Sequence, residues 1–454
     1  MIKTINPSNG QVIKEYDVMH DSELDSIINK ASEAQGEWER LSFDKRAAYL
    51  NRIAEILKER KEKLAELMAT EMGKPLAQGV SEAEKCAWVC EYYAEHAEEF
   101  LQDEPIETDA SRSYVTYNPL GTVLAIMPWN FPFWQLFRFA APALMAGNAA
   151  LLKHAPNVTG CALEIEDMMH EAGIPEDLFR TVLADIDQTQ AMITHSAISA
   201  VTLTGSTRAG KAVAGQAGSV LKKTVLELGG SDPYLILKDA DLEKAAETCV
   251  TSRLINSGQS CIAAKRFIAV SEVYEDFLEM VISKMKEKQV GDPFEETTDI
   301  GPMARFDLRD QLHEQVQQSR EKGAECLLGG DIPDNEGAFY PATVLTNIKK
   351  GMPAYEEELF GPVASVLKAK DEIDAISIAN DSSYGLGAAV FSEDRERAES
   401  IAAESLEAGC CFVNEFVKSD PRLPFGGIKK SGYGRELSHH GIREFVNTKT
   451  VYIA

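Results

Sequence analysis

The sequence predicts an α/β protein with two doubly wound parallel sheets, and its length, its composition and one alternating pattern carry this prediction. At 454 residues the chain is too long for a single ordinary core. Hydrophobic residues make up 44% of it, which is typical of globular proteins. From about residue 111 onwards, short apolar runs alternate with longer stretches of helical periodicity, as expected of βαβ units.

The first 100 residues or so are predicted to be helical. Apolar residues recur at i, i+3, i+4 and i+7 over Leu24–Ala31, and Asp21 or Ser22 is the expected N-cap. The same spacing predicts a second, charge-rich helix over Leu50–Leu64.

The first βα series is predicted to form one parallel sheet with helices on both faces. Its predicted strands are Thr122–Met127, Ala149–Lys153, Ala200–Thr204 and Thr224–Leu228. Its predicted helices are Phe133–Met145, Val158–Ala172 and Thr207–Gly215.

A second βα series runs from about Pro233 to Gly427, beginning with a strand at Tyr234–Leu237 and a helix at Leu242–Ile255. Two β-rich segments stand outside both series. Ser113–Tyr117 has the composition of an edge strand. Phe445–Ile453 is predicted as a last strand with no later residues to cover its edge, which favours pairing with another subunit.

The charge balance argues against two classes of partner. With 46 basic and 72 acidic residues the formal charge is −26, which repels nucleic-acid phosphates and anionic membranes. The N-terminal residues lack the apolar stretch of a signal peptide, and no segment has the ~20 apolar residues of a membrane span. We therefore expect a cytoplasmic protein, and no metal site is indicated.

Cys261 is a candidate nucleophile. It follows a glycine-containing turn and is expected at a helix start, where backbone N–H groups would lower the pKa of its thiol. Taken alone, a cysteine in such a position is more often a buried structural residue.

Glu227 ends a predicted strand, and in doubly wound sheets ligands collect at the carboxyl ends of strands. A buried carboxylate there can act as a general base, although an ion-paired glutamate would look the same in the sequence. Asn130 lies between Pro128 and Pro132, so its amide could be presented rigidly to an oxyanion, or the loop could simply pack its aromatic residues. The turn at Gly205–Gly210 opens a helix, a weak signal for phosphate binding.

These elements together resemble the aldehyde dehydrogenase family over essentially the whole chain. They occur in that family's order and at similar spacings. In chain order they are Pro128–Pro132, Lys153, Gly205–Gly210, Glu227–Gly230, Cys261, Glu358–Pro362 and Pro424–Gly427.

The resemblance implies a chemistry for three residues. Cys261 would attack the aldehyde carbon, and Asn130 would stabilise the oxyanion together with the backbone N–H of Cys261. After hydride transfer to NAD or NADP, Glu227 would activate the water that hydrolyses the thioester. The residues implied in cofactor binding are Ile126, Trp129, Asn130, Lys153, His154, Ala155, Pro156, Gly205, Ser206, Leu228, Glu358 and Phe360.

Position 156 departs from the pattern of many members that prefer NAD. They have a glutamate there that accepts from the ribose 2′-hydroxyl, whereas this chain has Pro156. Without that carboxylate a 2′-phosphate is not repelled, and Lys153 could attract it. Tolerance of both cofactors is expected, and the preference stays open.

The substrate is expected to carry a carboxylate. Arg138 lies eight residues after Asn130 and Ser419 five residues before Pro424, which matches residues that bind the substrate carboxylate in succinate-semialdehyde dehydrogenases. Ile255 stands where some members have a second arginine. Arg138 could instead be a structural ion-pair partner, and glutarate semialdehyde or an uncharged aliphatic aldehyde remains an alternative substrate.

Two other functional classes fit the sequence less well. A thiol hydrolase would need a histidine to activate the thiol, and none of the eight histidines lies in the motifs around Cys261. An inactive binding protein would not need Cys261, Glu227 and Asn130 together. The family plan implies a cofactor domain of residues 1–107 and 120–229 and a catalytic domain of residues 230–423. Residues 108–119 and 445–454 would form a bridging element in a homodimer or homotetramer.

Overall fold

The computed structural model describes residues 1 to 454 and begins with an antiparallel hairpin. Its strands are β1 (Ile2–Ile5) and β2 (Val12–Tyr16). The prediction that this whole region is helical was wrong for the hairpin, because the side chains of β2 are largely exposed and show no apolar alternation. Four helices follow: α1 (Asp21–Trp38), α2 (Phe43–Glu59), α3 (Lys61–Met72) and α4 (Leu76–Phe100).

The helix predictions were correct in type but not at every boundary. The N-cap of α1 is His20, which makes no side-chain cap, and Asp21 lies in the first turn, where its charge favours the helix dipole. The second predicted helix is two helices, because Arg60 leaves the helical conformation (φ −108°, ψ 7°); Leu64 therefore belongs to α3.

The first parallel sheet contains every strand and helix predicted for it, plus two short strands and one helix that were not predicted. Its strands are β5 (Thr122–Met127), β6 (Ala149–His154), β7 (Phe179–Thr181), β8 (Ile198–Thr204), β9 (Lys223–Glu227) and β19 (Gly432–Tyr433). Its helices are α5 (Trp134–Met145), α6 (Thr159–Glu171), α7 (Ile186–Thr194) and α8 (Thr207–Ser219). The spatial order is β19-β9-β8-β5-β6-β7, and only β19 is antiparallel.

The second sheet has seven strands in the order β12-β13-β14-β11-β10-β16-β17, and only β12 is antiparallel. The strands are β10 (Asp232–Ile236), β11 (Ala264–Val270), β12 (Glu325–Leu328), β13 (Thr343–Thr346), β14 (Val363–Ala369), β16 (Gly387–Phe391) and β17 (Cys410–Val413). The helices around it are α9 (Leu242–Leu254), α10 (Tyr274–Lys286), α11 (Phe306–Glu321), α12 (Pro353–Glu356), α13 (Glu372–Asn380) and α14 (Arg395–Ser400). A two-stranded ladder, β15 (Tyr384–Gly385) with β18 (Ile428–Lys429), lies apart from it.

A third, antiparallel sheet consists of β3 (Glu104–Pro105), β4 (Arg112–Pro119) and β20 (Val446–Ile453). The prediction that Ser113–Tyr117 is an edge strand was wrong, because β4 lies between the other two. The last strand is the uncovered edge, as predicted, and most of its side chains are exposed. The helix α15 (Ser438–Ile442) precedes it.

Helix α5 follows β5 of the first parallel sheet, and all twelve of its residues are buried. An all-round buried helix has no surface on which to expose a charge. Arg138, the single arginine on α5, therefore needs a partner inside the protein. No helix combines the length and apolarity needed to cross a membrane.

Candidate active site

Cys261 lies in a turn that leads directly into β11. The predicted helix start is absent, so no helix N-terminus lowers the pKa of the thiol. Burial instead raises the pKa of Cys261 to about 12, although the nearby charges of Arg138 and Lys265 act in the opposite direction. The resting sulfur is therefore a thiol at neutral pH.

The segment before Cys261 has an uncommon backbone. Asn256 and Ser257 both have φ 54°, in the left-handed region, which costs about 1–3 kcal/mol per residue. Buried hydrogen bonds hold them there. Asn256 Nδ2 donates to the carbonyl oxygen of Asn130 over 2.7 Å, and Ser257 Oγ donates to that of Gly301 over 3.1 Å. This strain is concentrated where the sulfur must be positioned.

Lys265 makes hydrogen bonds to the backbone of the turn that contains Cys261. Its Nζ donates to the carbonyl oxygens of Ser260 (2.9 Å) and Cys261 (2.7 Å), and it lies 3.6 Å from the carboxylate of Glu358. Lys265 is buried, and its hydrogen bonds take up the carbonyl groups on either side of the nucleophile.

Asn130 is buried and faces this turn. Its Nδ2 donates to the carbonyl oxygen of Gln259 over 3.1 Å. An amide nitrogen carries two hydrogens, so one N–H remains for another acceptor. The backbone N–H of Cys261 also donates to no group in the protein. Two unused donors are therefore available near the sulfur.

Glu227 ends β9, as predicted, and is almost fully buried. Neither carboxylate oxygen has a hydrogen-bond partner. Burial raises the pKa of Glu227 well above its usual range; Arg138 lowers it and Glu436 raises it further. A Cβ on Gly426 would lie 2.7 Å from Glu227 Oε1, so the glycine of the Pro424–Gly427 motif makes room for this carboxylate.

Two large cavities meet at Cys261, the only residue that lines both of them. One has a volume of about 460 Å³ and lies at the carboxyl ends of the strands of the first sheet. The other has a volume of about 590 Å³ and lies on the side of α4 and α5. Both are within the size range of small-molecule sites, about 300–1,000 Å³. No histidine lines either cavity, which leaves the thiol-hydrolase hypothesis without its base.

The 460 Å³ cavity brings together seven of the residues proposed for cofactor binding. They are Trp129, Asn130, Gly205, Ser206, Leu228, Glu358 and Phe360. Phe360 packs edge-on against Trp129 with 5.7 Å between ring centroids. Ser206 caps the thirteen-residue helix α8, whose N-terminus suits a phosphate. The Glu358 carboxylate, which accepts from Gly230 N (3.0 Å), suits ribose hydroxyls. The residues therefore fit a dinucleotide.

The remaining five proposed cofactor residues do not line this cavity. Ile126 pairs in register with Lys153 on neighbouring strands. His154 is buried with its Nε2 2.9 Å from the carbonyl oxygen of Pro132, and burial lowers its pKa to about 4. Ala155 and Pro156 follow directly, and a short 3₁₀ turn begins at Pro156. Lys153, His154, Ala155 and Pro156 thus lie at the end of β6, beside β5, which carries Ile126.

The 590 Å³ cavity contains both residues proposed for substrate binding, Arg138 and Ser419. Arg138 forms an ion pair with Glu436, and its Nη2 donates to Thr204 Oγ1 over 3.3 Å. Its guanidinium carbon lies 4.6 Å from the ring centroid of Phe425. Arg138 is thus a structural ion-pair partner, but its Nη1 makes no hydrogen bond within the protein.

Sequence reasoning missed three charged residues of the site: Lys85, Lys265 and Glu436. Lys85 had a detectable signal, because Gln78, Glu82 and Lys85 recur at i, i+4 and i+7 on α4 and all line the 590 Å³ cavity. A polar stripe on a helix that also carries an apolar face can indicate a cavity wall. The positions of the other two depend on tertiary packing.

Comparison with known proteins agrees with this geometry. Residues 1–451 match the aldehyde dehydrogenase family. The chain is 47% identical over 453 residues to a probable succinate-semialdehyde dehydrogenase [NADP(+)] of Synechocystis, which covers 100% of both chains. It is 46% identical to the succinate semialdehyde dehydrogenase [NAD(P)+] of Escherichia coli, covering 99% of this chain and 97% of that one.

A solved structure gives the same result at the level of the fold. The succinic semialdehyde dehydrogenase of Streptococcus pyogenes, crystallised with NADP+, superposes with a TM-score of 0.98 at 38% identity, and the match covers 100% of each chain. A half-buried cysteine between two cavities and a buried amide and carboxylate in its surroundings thus occur on a fold and a sequence shared over the full length. The chain belongs to the aldehyde dehydrogenase family.

Proposed function

We propose that this enzyme oxidises succinate semialdehyde to succinate with NADP or NAD as hydride acceptor. The observation that carries the proposal is the unused Nη1 of Arg138 in the cavity on the far side of Cys261 from the dinucleotide cavity. A guanidinium suits a carboxylate, which could accept from this Nη1 in addition to the ion pair with Glu436, whereas an uncharged aldehyde brings no negative charge to it. Similarity to succinate-semialdehyde dehydrogenases of Synechocystis and Escherichia coli supports the same substrate.

The proposed mechanism begins at the sulfur. Cys261 loses its proton and attacks the aldehyde carbon, forming a thiohemiacetal. The free N–H of Asn130 and the backbone N–H of Cys261 hold the oxyanion. When bound, the dinucleotide supplies the nicotinamide that accepts the hydride released as the oxyanion collapses. A thioester on Cys261 remains.

Glu227 then takes a proton from a water molecule, which attacks the thioester carbon and displaces the sulfur as a thiolate. Burial raises the pKa of Glu227, which makes its carboxylate a stronger base towards this water. Glu227 lines neither cavity in the resting protein, so its side chain must turn towards Cys261 for this step. Succinate leaves and Cys261 is regenerated.

In this proposal the two parallel sheets have different functions. Residues 1–107 and 120–229 would bind the dinucleotide, and residues 230–423 would present the nucleophile. The antiparallel sheet of β3, β4 and β20 would join subunits along the open edge of β20.

The test compares succinate semialdehyde with butanal, which has the same four carbons and no carboxylate, each with NAD and NADP. We expect kcat/KM to favour succinate semialdehyde, and Arg138→Ala to reduce this preference about ten- to hundredfold, since hydrogen bonds to charged groups contribute about 1.5–3 kcal/mol. Equal use of both aldehydes by the native enzyme would refute the proposed substrate. A further assay with glutarate semialdehyde, which is one carbon longer, decides which length of substrate the enzyme prefers.

Arg138→Ala also leaves Glu436 as an uncompensated buried charge, which destabilises proteins by about 3–5 kcal/mol. Arg138→Lys keeps the charge opposite Glu436 and loses only the planar fork. If this variant retains butanal oxidation and loses the preference for succinate semialdehyde, folding is excluded as the cause.

A further inference from the structure

Lys85 presents an ammonium group to the 590 Å³ cavity without an ion-pair partner. Its Nζ donates to Ser419 Oγ over 2.8 Å and lies 4.2 Å from the ring centroid of Trp134. Lys85 is half-buried, whereas Lys74 is buried and has its own ion pair with Glu82. A partly desolvated ammonium without a counter-ion is costly, and an anionic ligand would reduce that cost.

The hydrogen bond from Lys85 also prepares Ser419. Because the serine oxygen accepts from Nζ, its own O–H is free to donate elsewhere, and it has no other partner in the protein. Ser419 and Lys85 thus present two donors to the same cavity as the free Nη1 of Arg138. The charge of Arg138 lowers the pKa of Lys85 and that of Cys261, and all three residues line this cavity.

We propose that Lys85 is a second cationic anchor for the carboxylate of the aldehyde substrate, acting with Ser419 and Arg138. Ile255 stands where some succinate-semialdehyde dehydrogenases have a second arginine, and it lines the same cavity without a charge. Lys85, on α4, would supply the second positive charge instead. This inference rests on the proposed function, because it assumes a substrate with a carboxylate. Lys85 thereby becomes a determinant of specificity for acidic over neutral aldehydes.

The charge of Lys85 depends on pH in the range where the enzyme can be assayed. Burial lowers the pKa of Lys85 to about 8; Arg138 on α5 lowers it too, whereas Cys86 and Glu82 on its own helix and Asp420 beside Ser419 raise it. Above pH 8 the free enzyme loses the ammonium, and the attraction for a carboxylate weakens. Butanal oxidation should not depend on this group.

The experiment measures the specificity ratio, kcat/KM for succinate semialdehyde divided by kcat/KM for butanal, from pH 6.5 to 9.5. Ionisation of Cys261 and Glu227 affects both aldehydes and cancels in the ratio. We expect the native ratio to fall as the pH rises through about 8. Lys85→Met should lower the ratio about ten- to hundredfold at pH 7 and make it independent of pH, whereas Lys85→Arg should keep it high throughout.

Lys63→Met is the matched control, because Lys63 is exposed and pairs with Glu164 away from both cavities. If the native enzyme favours succinate semialdehyde, Arg138→Lys reduces the ratio and Lys85→Met leaves it within twofold, the role of Lys85 is refuted while the proposed function stands. An equal loss of both activities in Lys85→Met would also refute it, since that result indicates a purely structural lysine. A native enzyme without preference refutes the proposed function itself.

A binding measurement without turnover gives a second readout. Succinate, the proposed product, should slow the alkylation of Cys261 by iodoacetamide in the native enzyme, and butanoic acid, which retains one carboxylate, should also protect. Butanol should not protect. Lys85→Met should need about ten- to hundredfold more succinate for half protection. Unchanged protection in this variant would contradict the anchor.

Discussion

The Nζ atom of Lys265 donates a hydrogen bond of 2.7 Å to the carbonyl oxygen of Cys261. This contact connects Cys261 to Glu358, which lies 3.6 Å from the same ammonium group and lines the 460 Å³ cavity. The buried side chain of Lys265 thus contacts the backbone of the proposed nucleophile and a carboxylate of the neighbouring cavity.

Lys265→Met should lower kcat by about a hundredfold, because a shift of 1 Å in a reacting group can cost that much. The pH profile of Cys261 alkylation should move to higher pH, since Lys265 lowers the pKa of that thiol. Stopped-flow assays and iodoacetamide kinetics measure the two effects, with Lys63→Met as the control. A reduced Tm with an unchanged alkylation profile would mean that Lys265 serves only stability.

The resting thiol of Cys261 should react slowly at neutral pH. Its pKa of about 12 means that the thiolate fraction rises roughly tenfold per pH unit over the range 7–9, and the rate of inactivation by iodoacetamide should rise with it. The measurement is loss of activity over time in the absence of dinucleotide. A plateau already at pH 7 would show that the free enzyme holds a thiolate.

Glu227→Gln should separate the two halves of the reaction. The first turnover should still release reduced dinucleotide in an amount equal to the enzyme, and kcat should then fall by about 10²–10⁴ because the general base is missing. Mass spectrometry of the quenched enzyme should find an acyl group on Cys261. In the native enzyme deacylation should quicken with pH, since the raised pKa keeps Glu227 protonated at low pH. Absence of the burst would assign Glu227 to an earlier step.

Pro156→Glu should shift the cofactor preference towards NAD. The new carboxylate would repel the 2′-phosphate of NADP and could accept from the 2′-hydroxyl of NAD, which we expect to change the ratio of the two kcat/KM values at least about tenfold. Pro156→Ala is the control for loss of the proline ring. If both variants behave alike, the adenosine ribose does not reach position 156.

The open edge of β20 predicts an oligomer in solution. Light scattering coupled to size exclusion should give a mass of two or four times the 49.9 kDa of one chain. A mass of one chain at micromolar concentration would contradict the assigned role of the antiparallel sheet.

Local patterns were sufficient for most of the fold. The strands and helices of the first sheet could be predicted because each buries a continuous apolar run, as Thr122–Met127 does. The hairpin of β1 and β2 was missed because its second strand buries almost nothing. The central position of β4 could not be predicted either, since strand order in a sheet depends on partners far away in the chain.

The motifs singled out the proposed catalytic side chains, but they did not reveal the environments of these side chains. The helix expected at Cys261 is a turn into β11, and burial raises the thiol pKa instead of lowering it. Neither the ion pair of Arg138 with Glu436 nor the bond from Lys85 to Ser419 has a local signature, because each joins segments that meet only in the folded protein. Electrostatic surroundings follow from tertiary contacts, which spacing alone does not reveal.

Because Cys261 is the one residue that lines both cavities, two different small molecules can occupy the protein at once and meet beside this residue. An inhibitor confined to the 590 Å³ cavity should therefore not compete with a dinucleotide in the 460 Å³ cavity. A warhead that forms a bond with this sulfur could be extended into either chamber, and a compound extended into both would combine the affinity of two sites.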